Sequence, residues 1–457
     1  MVYKVFTIKC ENLQLSCRKI NFKLLDMKKA FLKIKTFFKT FGPGVVTGAA
    51  DDDPSGIATY TQTGAKFGYG QLWTVIVMLP LMTAIQEACA RIGAVNGHGL
   101  ASVIKDNYSK KVLYAAVLLV VVANTINIGA DIGAVAAAAQ LLIHINFVIL
   151  TLGFTALILI LEIFTTYRVY SRILKWLALA LLAYPLTVFM VHQPWAEIIS
   201  ATFLPHVELN FEFFFIITGI LGTTISPYMF FWQTSQEVEE EKAQHLMSRY
   251  GRPNIGLKFI KNLRVDNFAG MVFSEIATWS IIVVAATVLH QNGITNVASA
   301  ADAAKALEPL VQTFPNAGFL SKLIFAVGII GLGLLGIPVL SGSAAYALSE
   351  AFNMKQGLNL KLKKAHGFYG VITIATIIGL MINFIGIDPI KALVFTAVFN
   401  GVAAVPLIFL IARIARNKKI MGEYRSGWLS STVVWITFLV MLASAVAMFY
   451  TLARGYM

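Results

Sequence analysis

Eleven apolar segments, each about as long as a bilayer is thick, dictate what this 457-residue chain can become. They run roughly over 43–66, 69–95, 112–142, 147–167, 172–192, 212–237, 262–290, 319–349, 366–386, 388–413 and 427–453. A hydrocarbon core of about 30 Å takes about 20 apolar residues in helical form to cross. Within lipid the backbone has to satisfy its own hydrogen bonds, which leaves helices as the structure for such segments. Only 13% of the residues are charged, against the ~25% of an ordinary soluble domain, and 57% are hydrophobic. The expectation is an all-α polytopic membrane protein, embedded in the lipid bilayer of a plasma (inner) membrane.

Lysine and arginine alternate between the connections. Arg91, Lys105, Lys110 and Lys111 follow the second segment; Arg168, Arg172 and Lys175 the fourth; Lys242, Arg249, Arg252, Lys258, Lys261 and Arg264 the sixth. Lys355, Lys361, Lys363 and Lys364, then Arg413, Arg416, Lys418, Lys419 and Arg425, complete the basic set, while residues 143–146 and 192–212 carry none. The positive-inside rule therefore predicts a cytoplasmic N-terminus and an external C-terminus. In a membrane protein the placement of the +14 net charge matters more than its size, and no nucleic-acid partner is implied. Residues 1–41 are basic; within them "MKKAFLKIKTFFKTF" has apolar residues at helical spacing opposite lysines, the pattern of an interfacial helix on an anionic leaflet, with Met27 an alternative start. No cleavable signal is expected. Three cysteines, Cys10, Cys17 and Cys89, make neither a disulfide framework nor a zinc site.

Two segments are interrupted. "AADDDPSGIATYTQ" puts Asp51, Asp52 and Asp53 beside Pro54 in the first, and "GTTISPY" puts Pro227 in the sixth. One aspartate at the centre of a spanning helix costs about 2.5–3.5 kcal/mol, so three approach ~10 kcal/mol unless they face water or protein. Proline with glycine or serine beside it makes unwinding cheap. Each break opens a five-segment block, residues 42–192 and 211–413, and because five is odd the second block enters the membrane inverted. Interrupted helices at matching places of two inverted halves point to a transporter's substrate site. Residues 427–453 form an eleventh helix outside the repeat.

At these residues the chain resembles the Nramp family of divalent-metal transporters, and more closely its magnesium-transporting branch. "GPGVVTGAADDDPSG", "QEACARIGAVNGHGLA" and "GTTISPYMFFWQTS" carry the resemblance. It implies a leucine-transporter-like inverted repeat of five plus five helices with an eleventh helix, and a metal site whose ligands fall on Asp53, Gly56, Thr223 and Ser226. Two positions depart from the family pattern. Its asparagine has become Gly56, and its methionine before the proline has become Ser226. Without the thioether, carboxylate, hydroxyl, carbonyl and water suit Mg²⁺ and Mn²⁺ better than softer ions. Mg²⁺ as transported substrate, with Mn²⁺ also accepted, is the expectation; a weakened manganese site is the alternative. No cofactor is implied. The family's two sixth-helix histidines have become Tyr228 and Gln233, and the acid three residues after Asp131 has become Ala134. Neither tyrosine nor glutamine changes charge near neutral pH, so uniport without obligatory proton coupling is expected.

Further residues are candidates. Asp51 and Asp52 either concentrate cations or cap the unwound stretch. Glu275, well inside the seventh segment, has no local partner, and Asn400 offers an amide oxygen from the tenth. Glu87 and Arg91, at i and i+4, read as a structural ion pair, and Glu162 as structural. The glycine-rich "VGIIGLGLLGIPVLSGSAAYA" lacks the strand–turn–helix setting of a nucleotide site and reads as helix packing. Other functions remain open. An amino-acid or amine carrier of the same fold lacks a reason for the acids, a proton-coupled transition-metal transporter lacks the histidines, and a membrane-embedded hydrolase has only Asp53 with Asp131 as a reactive pair.

Overall fold

A computed structural model describes residues 43–165, 179–247 and 253–455. The N-terminal basic stretch with Cys10, Cys17 and Met27, the start of the fifth segment, and Arg168, Arg172, Lys175, Arg249 and Arg252 lie outside the described residues.

The described chain is nearly all helix. The principal elements are α1 (Pro43–Asp51), α2 (Pro54–Phe67), α3 (Trp73–Asn96), α4 (Leu100–Asn107), α5 (Lys110–Gln140), α6 (Phe147–Phe164) and α7 (Ala183–Met190). There follow α8 (Phe211–Thr224), α9 (Pro227–Ala243), α10 (Leu257–Val288), α11 (Ala317–Ala351), α12 (His366–Ile382), α13 (Pro389–Arg416) and α14 (Trp428–Arg454). Among the described residues eight helical stretches are long and apolar enough to cross a membrane, α8 and α9 counting as one.

Local signals set the boundaries. Asn146, Asn210 and Asp388 each cap a helix start with a side-chain oxygen, satisfying one of the amides that a helix leaves without a partner. Pro54, Pro227 and Pro389 occupy first positions, where the missing amide hydrogen costs nothing. The two interruptions span only a few residues. α1 ends at Asp51 and α2 begins at Pro54; α8 ends at Thr224 and α9 begins at Pro227.

The polarity pattern is that of a protein dissolved in lipid. Phe164, Phe189, Leu209, Phe395 and Trp428 are largely exposed on the outside, while Asp51, Asp52, Asp53, Asp131 and Glu275 are buried. α5 packs along α11, α8 along α13, and α10 against both α1 and α2. Small residues permit these approaches: a Cβ on Gly222 of α8 would lie 2.3 Å from the backbone nitrogen of Gly401 on α13. The glycine-rich stretch of α11 does the same against α5, where a Cβ on Gly333 would meet Val135 at 2.3 Å.

Near one end of the bundle Glu87 and Arg91 of α3 pair at 2.9 Å. Arg264 of α10 reaches the same Glu87 oxygen, and Arg91 also donates to the Tyr424 carbonyl and the Ser426 hydroxyl ahead of α14. Glu162 accepts a 2.6 Å hydrogen bond from Ser341, joining α6 to α11.

Candidate metal site

The interruption between α1 and α2 leaves Asp53 as the N-cap of α2. Its Oδ1 accepts from the Gly56 amide at 3.0 Å and from the Ser55 hydroxyl at 2.5 Å. Its Oδ2 accepts from the Asn127 amide nitrogen of α5 at 2.9 Å. The carboxylate is thus aimed by its own helix start and by a neighbouring helix. It also benefits from the positive end of the α2 dipole.

The second interruption faces the first. Ser55 Oγ lies 3.2 Å from Thr223 Oγ1, and the Tyr60 hydroxyl is 2.9 Å from Thr224 Oγ1. Ser226 folds back on α8, its hydroxyl donating to the carbonyls of Gly222 at 2.6 Å and Thr223 at 2.8 Å. Gly56 sits beneath: a Cβ there would be 3.4 Å from Thr223 Oγ1. Asp53, Gly56, Thr223 and Ser226 therefore gather around the two breaks. Asp131 flanks them from α5, with Gly336 of α11 between. A Cβ on Gly336 would stand 3.2 Å from Asp53 Cβ and 3.8 Å from Asp131 Oδ2.

The remaining sequence candidates take three other places. Asp51 accepts from Ser274 at 2.6 Å and Asp52 from Thr278 at 3.5 Å. Ser274 and Thr278 are one turn apart on α10, with Glu275 between them. Asp51, Asp52 and Glu275 thus form an acidic lobe on the α10 side of the break. Gln233 of α9 hydrogen-bonds to Thr47 of α1 and to Glu237 at 2.8 Å, and Tyr228 donates to the Ala50 carbonyl at 2.9 Å. Asn400 is buried on α13, and its Nδ2 has no hydrogen-bond partner among the described residues.

The electrostatics are one-sided. Among the described residues the ion pairs involve Glu87, Glu208, Glu212 and Asp302 and none of these central acids. Both oxygens of Asp131 and of Glu275, Asp51 Oδ1 and Asp52 Oδ2 have no hydrogen-bond partner among the described residues. A buried carboxylate needs a proton, a donor or a cation. No three Asp, Glu, His or Cys side chains among the described residues converge to hold an ion. What meets Asp53 is one hydroxyl and two N–H donors, with the hydroxyl of Thr223 next to that of Ser55.

The sequence reading missed Ser55, Asn127, Ser274, Thr278 and Gly336. Of these only Asn127 left a usable trace, lying one helical turn before Asp131 on the same face.

The comparisons agree with this architecture. Residues 44–451 match the family model described as Nramp, natural resistance-associated macrophage protein-like. A protein of Caldanaerobacter subterraneus named divalent metal cation transporter MntH is 25% identical over 432 residues, 92% of this chain and 95% of that one. One of the same name from Agrobacterium fabrum is 26% identical over 419 residues, 88% of this chain and 85% of that one. The crystal structure of an Eremococcus coleocola manganese transporter superposes with a TM-score of 0.70 at 16% identity, covering 91% of this chain and 87% of that one. MhsT in complex with L-phenylalanine superposes at 0.57 with 12% identity, covering 89% and 98%. These likenesses show a leucine-transporter-like fold, and with the match across nearly its whole length this chain belongs to the Nramp family.

Proposed function

We propose that this multi-pass membrane protein is a transporter of divalent metal ions, not an enzyme, and that it carries Mg²⁺ in preference, with Mn²⁺ also accepted. The observation that carries this reading is Asp53. It is a buried carboxylate at the break of α1 and α2, oriented from both sides, with no cationic partner among the described residues. The names of the relatives support divalent-metal transport. The ion sits between the two helix breaks, anchored by Asp53, with oxygens from Gly56, Thr223 and Ser226 and from water completing its shell. Asp131 adds negative charge from α5. Asn400 offers its buried amide from α13, and Asp52 with Glu275 feeds the site from the α10 side.

The preference for magnesium rests on what surrounds Asp53. Ser226 supplies a hydroxyl where a thioether would select softer ions, and Gly56 brings no side-chain ligand. Mg²⁺ sheds its waters reluctantly and suits a site that tolerates them. The name of the Eremococcus protein, a manganese transporter, favours a second reading in which Mn²⁺ is the main substrate.

Transport runs without obligatory proton coupling. Tyr228 is engaged with a backbone carbonyl and Gln233 with two side chains, and neither gains or loses a proton near neutral pH. The membrane potential suffices as a driving force: a divalent ion falling through 100 mV gains about 4.6 kcal/mol. The chain lies in the plasma (inner) membrane, N-terminus cytoplasmic and C-terminus outside, with inverted halves at 42–192 and 211–413 and an eleventh helix at 427–453.

Proteoliposome uptake of Mg²⁺, Mn²⁺, Ca²⁺ and Cd²⁺, repeated on Asp53→Ala, tests the reading. Mg²⁺ and Mn²⁺ enter and the variant abolishes both. Unchanged flux in the variant, or Cd²⁺ displacing Mg²⁺ by orders of magnitude, overturns it.

A further inference from the structure

Asn127 lies one turn before Asp131 on α5, so both side chains leave the same face of that helix. Its amide nitrogen donates to Asp53 Oδ2 at 2.9 Å. The residue is 0% exposed, yet its own oxygen, Oδ1, receives no hydrogen bond from the described residues. A buried amide oxygen left without a donor is costly, and this one belongs to the group that holds the anchoring carboxylate. The two Asp131 oxygens, one turn on, are in the same condition. α11 comes close at Gly336, where a Cβ would crowd Asp53 Cβ at 3.2 Å and lie 3.8 Å from Asp131 Oδ2, so the lack of a side chain lets this helix pack against both acids.

We infer that Asn127 is a ligand of the transported ion, supplied by α5 in place of the amide that position 56 lacks. The inference rests on the reading of Asp53 as the ion's anchor. A carboxamide carries donor and acceptor on one planar group, and turning it about its last side-chain torsion exchanges the two without moving the backbone. With no ion bound, the NH₂ end meets the Asp53 carboxylate. When a cation occupies Asp53, the same group turns and presents Oδ1, a neutral hard oxygen, and Asp53 Oδ2 trades its hydrogen bond for the metal. Loading and unloading thus exchange which end of one side chain has a partner, while the Asp53 carboxylate keeps one in both states.

Three variants of the full-length chain, purified in detergent and titrated with Mn²⁺ by calorimetry, test this, with thermal melting as a check that each is folded. Asn127→Leu keeps the shape and removes the oxygen, and weakens Mn²⁺ binding about 10–100-fold. Asn127→Asp restores an oxygen but cannot donate to Asp53, and binds Mn²⁺ more tightly than Asn127→Leu. A side chain that merely held Asp53 in place would give the reverse order, because the aspartate repels Asp53. Asn127→Leu binding as well as the wild type, or Asn127→Asp binding worse than Asn127→Leu, overturns the inference. Asp53→Ala separates the two readings. If it loses binding while Asn127→Leu keeps it, only the role of Asn127 fails; if it binds normally, the anchor itself is wrong.

Discussion

The phenol of Tyr228 donates to the carbonyl oxygen of Ala50 at 2.9 Å, so the second half of one interrupted helix is pinned to the first half of the other. Ala50 lies in the last turn of α1, where carbonyls have no helical donor ahead of them, and Tyr228 is the second residue of α9. The hydroxyl acts as a side-chain cap across the two breaks. Tyr228→Phe removes that cap and leaves the carbonyl unmatched, destabilising the fold by about 1 kcal/mol. Mn²⁺ affinity stays within about threefold of wild type, well under the tenfold that 1.4 kcal/mol represents. Thermal melting and calorimetry check both. A loss of affinity as deep as that of Asp53→Ala would make Tyr228 an ion ligand instead.

Glu275 tests whether the acidic lobe beside α10 is separate from the site at Asp53. Both of its oxygens are buried without a hydrogen-bond partner among the described residues. Glutamine keeps the shape, carries no charge and adds two donors for the neighbouring Asp52. Glu275→Gln is expected to raise the melting temperature, since a buried group that must otherwise be neutralised is replaced by a neutral one. Asp53-dependent Mn²⁺ binding in detergent is retained. Should the substitution abolish that binding, the two clusters act as one site.

Arg91 is 1% exposed and Arg264 much more so, yet both contact Glu87 at 2.9 Å. Removing one member of a buried pair leaves the other charge uncompensated and costs about 3–5 kcal/mol. Exposed pairs contribute about 0–1 kcal/mol. Arg91→Met therefore destabilises strongly, Arg264→Ala slightly, and the double change Glu87→Gln with Arg91→Met less than Arg91→Met alone. Melting temperatures of the four proteins, wild type included, decide this. Equal losses for the two single arginine variants would show that burial is not what distinguishes them.

The helices were legible because apolar runs of this length in lipid admit no other backbone structure, and the breaks because proline at 54 and 227 cannot continue a helix. The i,i+4 spacing likewise announced the pairing of Glu87 with Arg91. Its extension to Arg264, Tyr424 and Ser426 could not be read, since those residues lie far along the chain and meet Arg91 and Glu87 only when α3, α10 and the start of α14 are packed together. The same holds around the site. Asp51 finds Ser274, and Asp53 finds Asn127, across packed helices with no sequence pattern that names the partner. Asn127 alone was recoverable, through its one-turn offset from Asp131.

Ser226 makes selectivity the last prediction. Its hydroxyl is occupied by the Gly222 and Thr223 carbonyls, so in this state it keeps two backbone oxygens of the break hydrogen-bonded. Ser226→Met removes that hydrogen bond and adds a polarizable sulfur at the position before Pro227. The Thr223 carbonyl is then free to turn toward an ion, and the thioether prefers softer cations than oxygen does. The ratio of Cd²⁺ to Mg²⁺ uptake in proteoliposomes should rise at least about tenfold, a change of 1.4 kcal/mol in relative binding. Adding Gly56→Asn should strengthen the shift, although its Cβ would stand 3.2 Å from the Tyr60 ring and that ring has to give way slightly. An unchanged ratio in the single variant would locate the choice of ion away from position 226, in the width of the cavity rather than the chemistry of its wall.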